Sequence, residues 1–171
     1  MLSDLDTHHS AEKVAKTLNL SSSDIAICST GLIGVRLPMD SILKGIETAS
    51  TQLNANALRE CAEAIMTTDS KPKIAHYEVN GAKFVGIAKG AGMLAPSLAT
   101  MLSVIMTDAI VDSSNGARIF EEICDRTFNR IDSDGCTSTN DTVLLMSSGA
   151  SGISLSNEEL RTALFEDRKS T

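Results

Sequence analysis

The chain has 171 residues, 42% of them hydrophobic, with 22 acidic against 15 basic side chains and a formal charge of −7, which fits one ordinary domain or a piece of a larger one and excludes a disordered chain. Lys and Arg form no basic stripe, Trp is absent, Tyr77 is the single tyrosine and aromatics are 3%, so phosphate tracking and base stacking lack their side chains and nucleic acid is excluded as a partner. No run approaches the ~18 apolar residues of a membrane span, and the N-terminus is acidic where a signal peptide would be basic, so the chain reads as cytoplasmic with no membrane partner.

In chain order, Ser10 followed by Ala11, Val14, Ala15 and Leu18 predicts a serine-capped helix. Asp24–Thr30, β-rich and stopped by Gly31, predicts a strand running into a special turn. Ile42, Leu43, Ile46 and Ala49 after Asp40 predict a second helix, and Ala57, Leu58, Cys61, Ala62 and Ile65 a third. Asn80-Gly81 between Ile74–Val79 and Lys83–Lys89 is the preferred two-residue hairpin turn. A Gly/Pro loop, Gly90–Ala99, leads to a strand at Thr100–Thr107. Ser114 is placed as the cap of a helix carrying Ile119, Phe120, Ile123 and Phe128, Asp141–Ser147 is a strand, and Ser156-Asn-Glu-Glu159 is a capping box opening a last helix. Strands and helices mix without strict βαβ alternation, so the fold class is α+β.

Residues 1–99 carry 9 basic and 10 acidic side chains and residues 100–171 carry 6 and 12, an imbalance that an acidic surface on the C-terminal part explains. Cys28, Cys61, Cys124 and Cys136 are far apart with no ligand-spaced histidine, so they read as reduced thiols and no metal is expected. Gly31-Leu-Ile-Gly34 and Lys89-Gly-Ala-Gly92 complete neither phosphate-loop pattern, Asp132-Ser-Asp-Gly135 lacks the closing Glu of a calcium loop and reads as a turn, and His76 has no carboxylate or serine at a catalytic spacing. His8-His9 sits on a terminus expected to be mobile.

What carries chemistry is a hydroxyl-rich set: Ser29-Thr30-Gly31, Thr67-Thr68-Asp69, Ala99-Thr100 and Thr137–Asp141. Singly, each is accounted for by the preference of Ser and Thr for strands and turns. A threonine can act as a nucleophile without histidine if cleavage just before it frees its α-amino group, whose ordinary pKa of ~7.7–8.0 makes it a base at neutral pH. That chemistry wants a small preceding residue and a bent approach, and Gly90, Gly92, Pro96 and Ala99 supply both.

Lys89-Gly-Ala-Gly-Met-Leu-Ala-Pro-Ser-Leu-Ala-Thr-Met-Leu102 resembles the self-cleavage segment of the ornithine acetyltransferases, the bifunctional glutamate N-acetyltransferases of arginine biosynthesis. Ser29–Gly34, Ile65–Asp69 and Phe128–Ile131 with Thr137–Val143 are similar to three further family blocks, in order, so the resemblance spans essentially the whole chain. It implies a layered α/β/β/α-type sandwich, incomplete at both ends, with residues 1–99 the C-terminal part of an α chain and 100–171 the N-terminal part of a β chain. It also implies cleavage between Ala99 and Thr100, with Thr100 as the nucleophile that carries acetyl from N-acetylornithine to glutamate. Thr30 and Gly31 match the family's oxyanion pair, while Thr67 and Lys89 match substrate contacts, with Thr68 an adjacent register alternative to Thr67. No cofactor is implied beyond acetyl-CoA as a second acetyl donor, and the assembly implied is α2β2. The family extends past both ends of this stretch and places further substrate contacts beyond Thr171, so the 171-residue chain is expected to transfer poorly by itself. The alternatives are a related N-terminal-nucleophile aminopeptidase or amidohydrolase, which releases to water, and a non-catalytic remnant.

Overall fold

The structure, a computed structural model, describes residues 4–31, 34–90, 100–131, 138 and 140–167. It is an α+β arrangement: β1 (Lys73–Val79), β2 (Ala82–Lys89), β3 (Leu102–Thr107) and β4 (Thr142–Ser147) form one sheet in the order β1-β2-β3-β4. Its helices are α1 (Asp4–Leu18), α2 (Met39–Ser50), α3 (Leu58–Ala64), α4 (Ser113–Arg126) and α5 (Asn157–Asp167), with 3₁₀ turns at Ser22–Asp24 and Phe128–Arg130.

β1 and β2 are joined by the Asn80-Gly81 turn, whose two residues have φ of 51° and 85°. Positive φ at both positions matches the right-handed twist of the flanking strands, and β1 and β2 pair from Val79↔Ala82 to Lys73↔Ala88. β3 pairs antiparallel with β2, then β4 pairs parallel with β3. A parallel pair needs a long crossover, and α4 lies within it, so one βαβ unit stands inside the otherwise unalternating order.

Because side chains alternate across a strand, the register puts Ala82 and Phe84 of β2 with Tyr77 and Val79 of β1 and Ile105 of β3 on one face. That face packs with Ile119 and Ile123 of α4 and Leu160, Ala163 and Leu164 of α5 into the main buried cluster, where Phe84 is 1% exposed. The opposite face presents Val85, Ile87 and Lys89 of β2 with Leu102, Val104 and Met106 of β3, and at β4 it opens to solvent through Met146. α3 packs against β1 and β2, while α1 packs against α2, tied to it by the Lys13–Glu47 ion pair.

Several boundaries differ from the sequence expectation for identifiable reasons. α1 begins at Asp4 rather than at a Ser10 cap: Asp4 and Asp6 place negative charge in its first turn, and Ser10 lies inside, buried, donating to the Asp6 carbonyl at 2.8 Å. His8 and His9 are therefore helical, and His8 Nδ1 lies 2.8 Å from the Asp4 carbonyl oxygen. Residues 24–30 form no strand, because no neighbouring backbone among the described residues supplies a ladder. β3 starts at Leu102, two residues after Thr100. The cap of α4 is Asp112, whose carboxylate accepts the Ser114 and Asn115 amides at 3.1 and 2.9 Å and the Ser114 hydroxyl at 2.6 Å; these bonds, the Asn115 amide foremost, pull its pKa below the usual carboxylate range. At α5 the expected capping box is present: Glu159 accepts the Ser156 amide at 2.7 Å and Ser156 Oγ accepts the Glu159 amide at 3.3 Å. No described helix is long and apolar enough to cross a membrane.

Candidate active site

The site gathers where β2 ends and β3 begins. Lys89, the last residue of β2 and the register partner of Leu102, is 2% exposed. Its Nζ donates to Thr67 Oγ1 at 3.0 Å and to Thr30 Oγ1 at 3.4 Å. An ammonium has three N–H donors, and the third has no partner among the described residues. Burial pushes the Lys89 pKa below the ordinary lysine range; the Asp69 charge opposes that, Lys73 adds to it, and Asp141 opposes it. Thr67 is exposed and Thr30 half-buried, so the two hydroxyls that receive the ammonium are more accessible than the ammonium itself.

The loop before β1 is held by Asp69, whose side chain is fully buried. It pairs with Lys73 and accepts the Gly90 amide at 3.0 Å and the Thr67 amide at 3.4 Å. Burial alone would raise its pKa; the bonds from Lys73, Gly90 and Thr67, with the Lys73 charge, hold it below the usual carboxylate range instead. Gly90 has a φ of +140°, a conformation L side chains rarely adopt, and there its amide reaches Asp69. One carboxylate therefore fixes both Thr67 and the chain leaving Lys89.

Thr100 is 7% exposed, and its Oγ1 lies 3.0 Å from Ser138 Oγ. Asp141 accepts the Met101 amide at 2.7 Å and the Ser138 amide at 3.4 Å, and the Thr142 amide donates to the Met101 carbonyl at 2.9 Å. The turn before β4 thus grips both the backbone after Thr100 and its side-chain oxygen.

Among the residues singled out in the sequence, Thr30, Thr67 and Lys89 meet directly, and Thr67 rather than Thr68 receives the ammonium. Gly31 follows Thr30 and is exposed. Ala99, Cys136 and the Asp132–Gly135 turn lie outside the described residues. His76 is exposed on β1, Cys28, Cys61 and Cys124 form no disulfide, and no metal-holding cluster occurs among the described residues. Asp69, Lys73, Ser138 and Asp141 stand outside the candidate set read from the sequence. Three of them, Asp69, Ser138 and Asp141, lie inside its hydroxyl-rich blocks, but the contacts that give them a role reach 21, 38 and 40 residues along the chain.

The family model described as the ArgJ family matches residues 4–169. Similar curated proteins named arginine biosynthesis bifunctional protein ArgJ include that of Streptomyces avermitilis, 50% identical over 93% of this chain and 42% of its own length. That of Streptomyces coelicolor is 52% identical over 86% and 39%, and that of Thermobifida fusca 48% identical over 94% and 42%. The chain thus spans about two-fifths of the length of these relatives. With four ordered sequence blocks, a site that draws on all four, and a family match over nearly every residue, the chain belongs to the ArgJ family.

Proposed function

We propose that this chain carries the nucleophile and part of the substrate pocket of an acetyltransferase of arginine biosynthesis, moving acetyl from N-acetylornithine to glutamate, with acetyl-CoA as a second donor. Backbone cleavage at Ala99–Thr100 gives two chains, residues 1–99 and 100–171, which remain associated and assemble as α2β2 in the cytoplasm. Thr100 Oγ1 then attacks the acetyl carbonyl carbon of N-acetylornithine. The C–N bond breaks, ornithine leaves with the proton that the Thr100 α-amino group took from the hydroxyl, and acetyl remains on Oγ1. The glutamate amine attacks that ester, N-acetylglutamate departs, and Thr100 Oγ1 regains a proton.

The observation that supports this reading best is the buried Lys89 ammonium, with two donors committed to Thr67 and Thr30 and a third without a partner among the described residues, at the end of β2 paired with Leu102 of β3. A charged donor with a bond to spare suits the α-carboxylate shared by N-acetylornithine and glutamate. Thr30 accepts from Lys89, so its own proton remains to donate, as an oxyanion donor must, and the Gly31 amide is its partner in that role.

The test is mass spectrometry of purified protein given N-acetylornithine alone. A single acetyl on Thr100, discharged when glutamate is added, supports transfer. Discharge at the same rate without glutamate would place the protein with the hydrolases that release to water, and no acetylation of Thr100 in folded protein would remove the reading.

A further inference from the structure

We propose that Ser138 is a further catalytic residue, the hydroxyl that holds the Thr100 nucleophile in its reactive rotamer; the idea rests on the reading of Thr100 given above. Thr100 Oγ1 and Ser138 Oγ are 3.0 Å apart, and Thr100 is buried, so this contact replaces the water that would otherwise solvate the hydroxyl. Either hydroxyl can donate at this distance, and the base role of the α-amino group requires Ser138 to be the donor. Ser138 Oγ accepts the Asn140 amide at 3.1 Å, which leaves its own proton to donate to Thr100 Oγ1. With one lone pair of Thr100 Oγ1 taken by Ser138, the other is left for the carbonyl carbon to be attacked and the Thr100 proton is left for the base.

Ser138 is itself held firmly enough for this. Its amide donates to Asp141 Oδ2 at 3.4 Å, and Asp141 Oδ1 takes the Met101 amide at 2.7 Å. The Thr142 amide donates to the Met101 carbonyl at 2.9 Å, and Thr142 Oγ1 donates to the Asn140 carbonyl at 3.1 Å. Asp141 and Thr142 thus hold the Met101 backbone through one side-chain bond and one backbone bond, and the contact between the Ser138 and Thr100 hydroxyls is what this clamp presents to the reacting atom. A misplacement of about 1 Å at a reacting atom costs roughly 10²-fold in rate, so holding this oxygen has value both in self-cleavage and in acetyl transfer. In acetyl transfer Thr100 needs no histidine, because Ser138 sets direction while the α-amino group freed by cleavage serves as base.

The test compares Ser138→Ala, Ser138→Thr and Thr100→Ala with the wild-type chain by two readouts. The first is the rate of self-cleavage from intact mass. Ser138→Ala is expected to slow it roughly 10–100-fold, Ser138→Thr to restore most of the rate because it keeps the hydroxyl, and Thr100→Ala to abolish it. The second is the NMR coupling between the Thr100 carbonyl carbon and its methyl carbon, which reports χ1 in cut and uncut chain alike. It should show one rotamer in wild type and Ser138→Thr, and averaging in Ser138→Ala. If Ser138→Ala does not fold, Ser138→Cys, with its weaker donor, replaces it. Should wild type stay whole, the nucleophile reading fails, while the coupling still decides whether Ser138 holds Thr100. A single Thr100 rotamer in folded Ser138→Ala, or a wild-type cleavage rate in that variant, overturns the proposal.

Discussion

The two sides of the sheet are specified by different physics. On one, Ala82, Phe84 and Ile105 meet α4 and α5 in a cluster where the largest side chains are apolar and nearly inaccessible. On the other, which also buries Ile87 and Leu102, the polar groups buried at and beside the strand ends are Lys89, Asp69 and Thr100, each placed by hydrogen bonds to remote residues. The first side draws stability from area removed from water, which any apolar residue of suitable volume supplies. The second spends stability on buried polar groups that must each find a partner, and a building element there is a residue identity rather than a pattern. Breaking the first should therefore unfold the chain, and breaking the second should leave it folded and chemically silent.

The largest expected effect is on the apolar side. Phe84→Ala should cost about 3–5 kcal/mol of stability, read as a large drop in the urea midpoint. Next comes Thr30→Ala on the polar side: loss of one oxyanion donor typically lowers kcat by about 10²–10³, here measured as Thr100 acetylation, while the urea midpoint should barely move.

A smaller effect separates the two sides by pH. The carboxylate of Asp69 is held below its ordinary value of 3.8, so its contribution to stability is fully present above that value and is lost as pH falls through the lower folded-state value. Acid titration of Asp69→Asn should lack that part of the loss in stability, and if the wild-type and variant acid curves run parallel, Asp69 is not the group being titrated. Smallest of all is the change in stability on Lys89→Met. Burying an ammonium is costly unless a carboxylate pairs with it, and Lys89 bonds to two hydroxyls, so thermal unfolding should be at or above wild type even as acetylation of Thr100 from N-acetylornithine falls away.

The same contrast explains what could be read from residues alone. The Asn80-Gly81 hairpin, the Ser156–Glu159 capping box and the apolar spacing of α2, α3 and α4 are local signals, complete within a few residues, and the structure has each of them. The strand expected at 24–30 failed because a strand needs a neighbour and β propensity does not say where that neighbour is. Asp112 displaced Ser114 as a cap because the two compete within one turn and the carboxylate accepts three bonds at once. At the site, the blocks holding Thr30, Thr67, Lys89 and Thr100 were legible through family resemblance. Asp69 and Ser138 were not, since their importance lies in contacts 21 and 38 residues away, which no spacing rule encodes.

The central claim is that Thr100 is a nucleophile, and the most direct measurement is the intact mass of purified, demonstrably folded protein beside its Thr100→Ala variant. Self-cleavage at Ala99–Thr100 predicts pieces of 99 and 72 residues from the 171-residue chain and a whole variant. A wild-type chain that stays whole would contradict it.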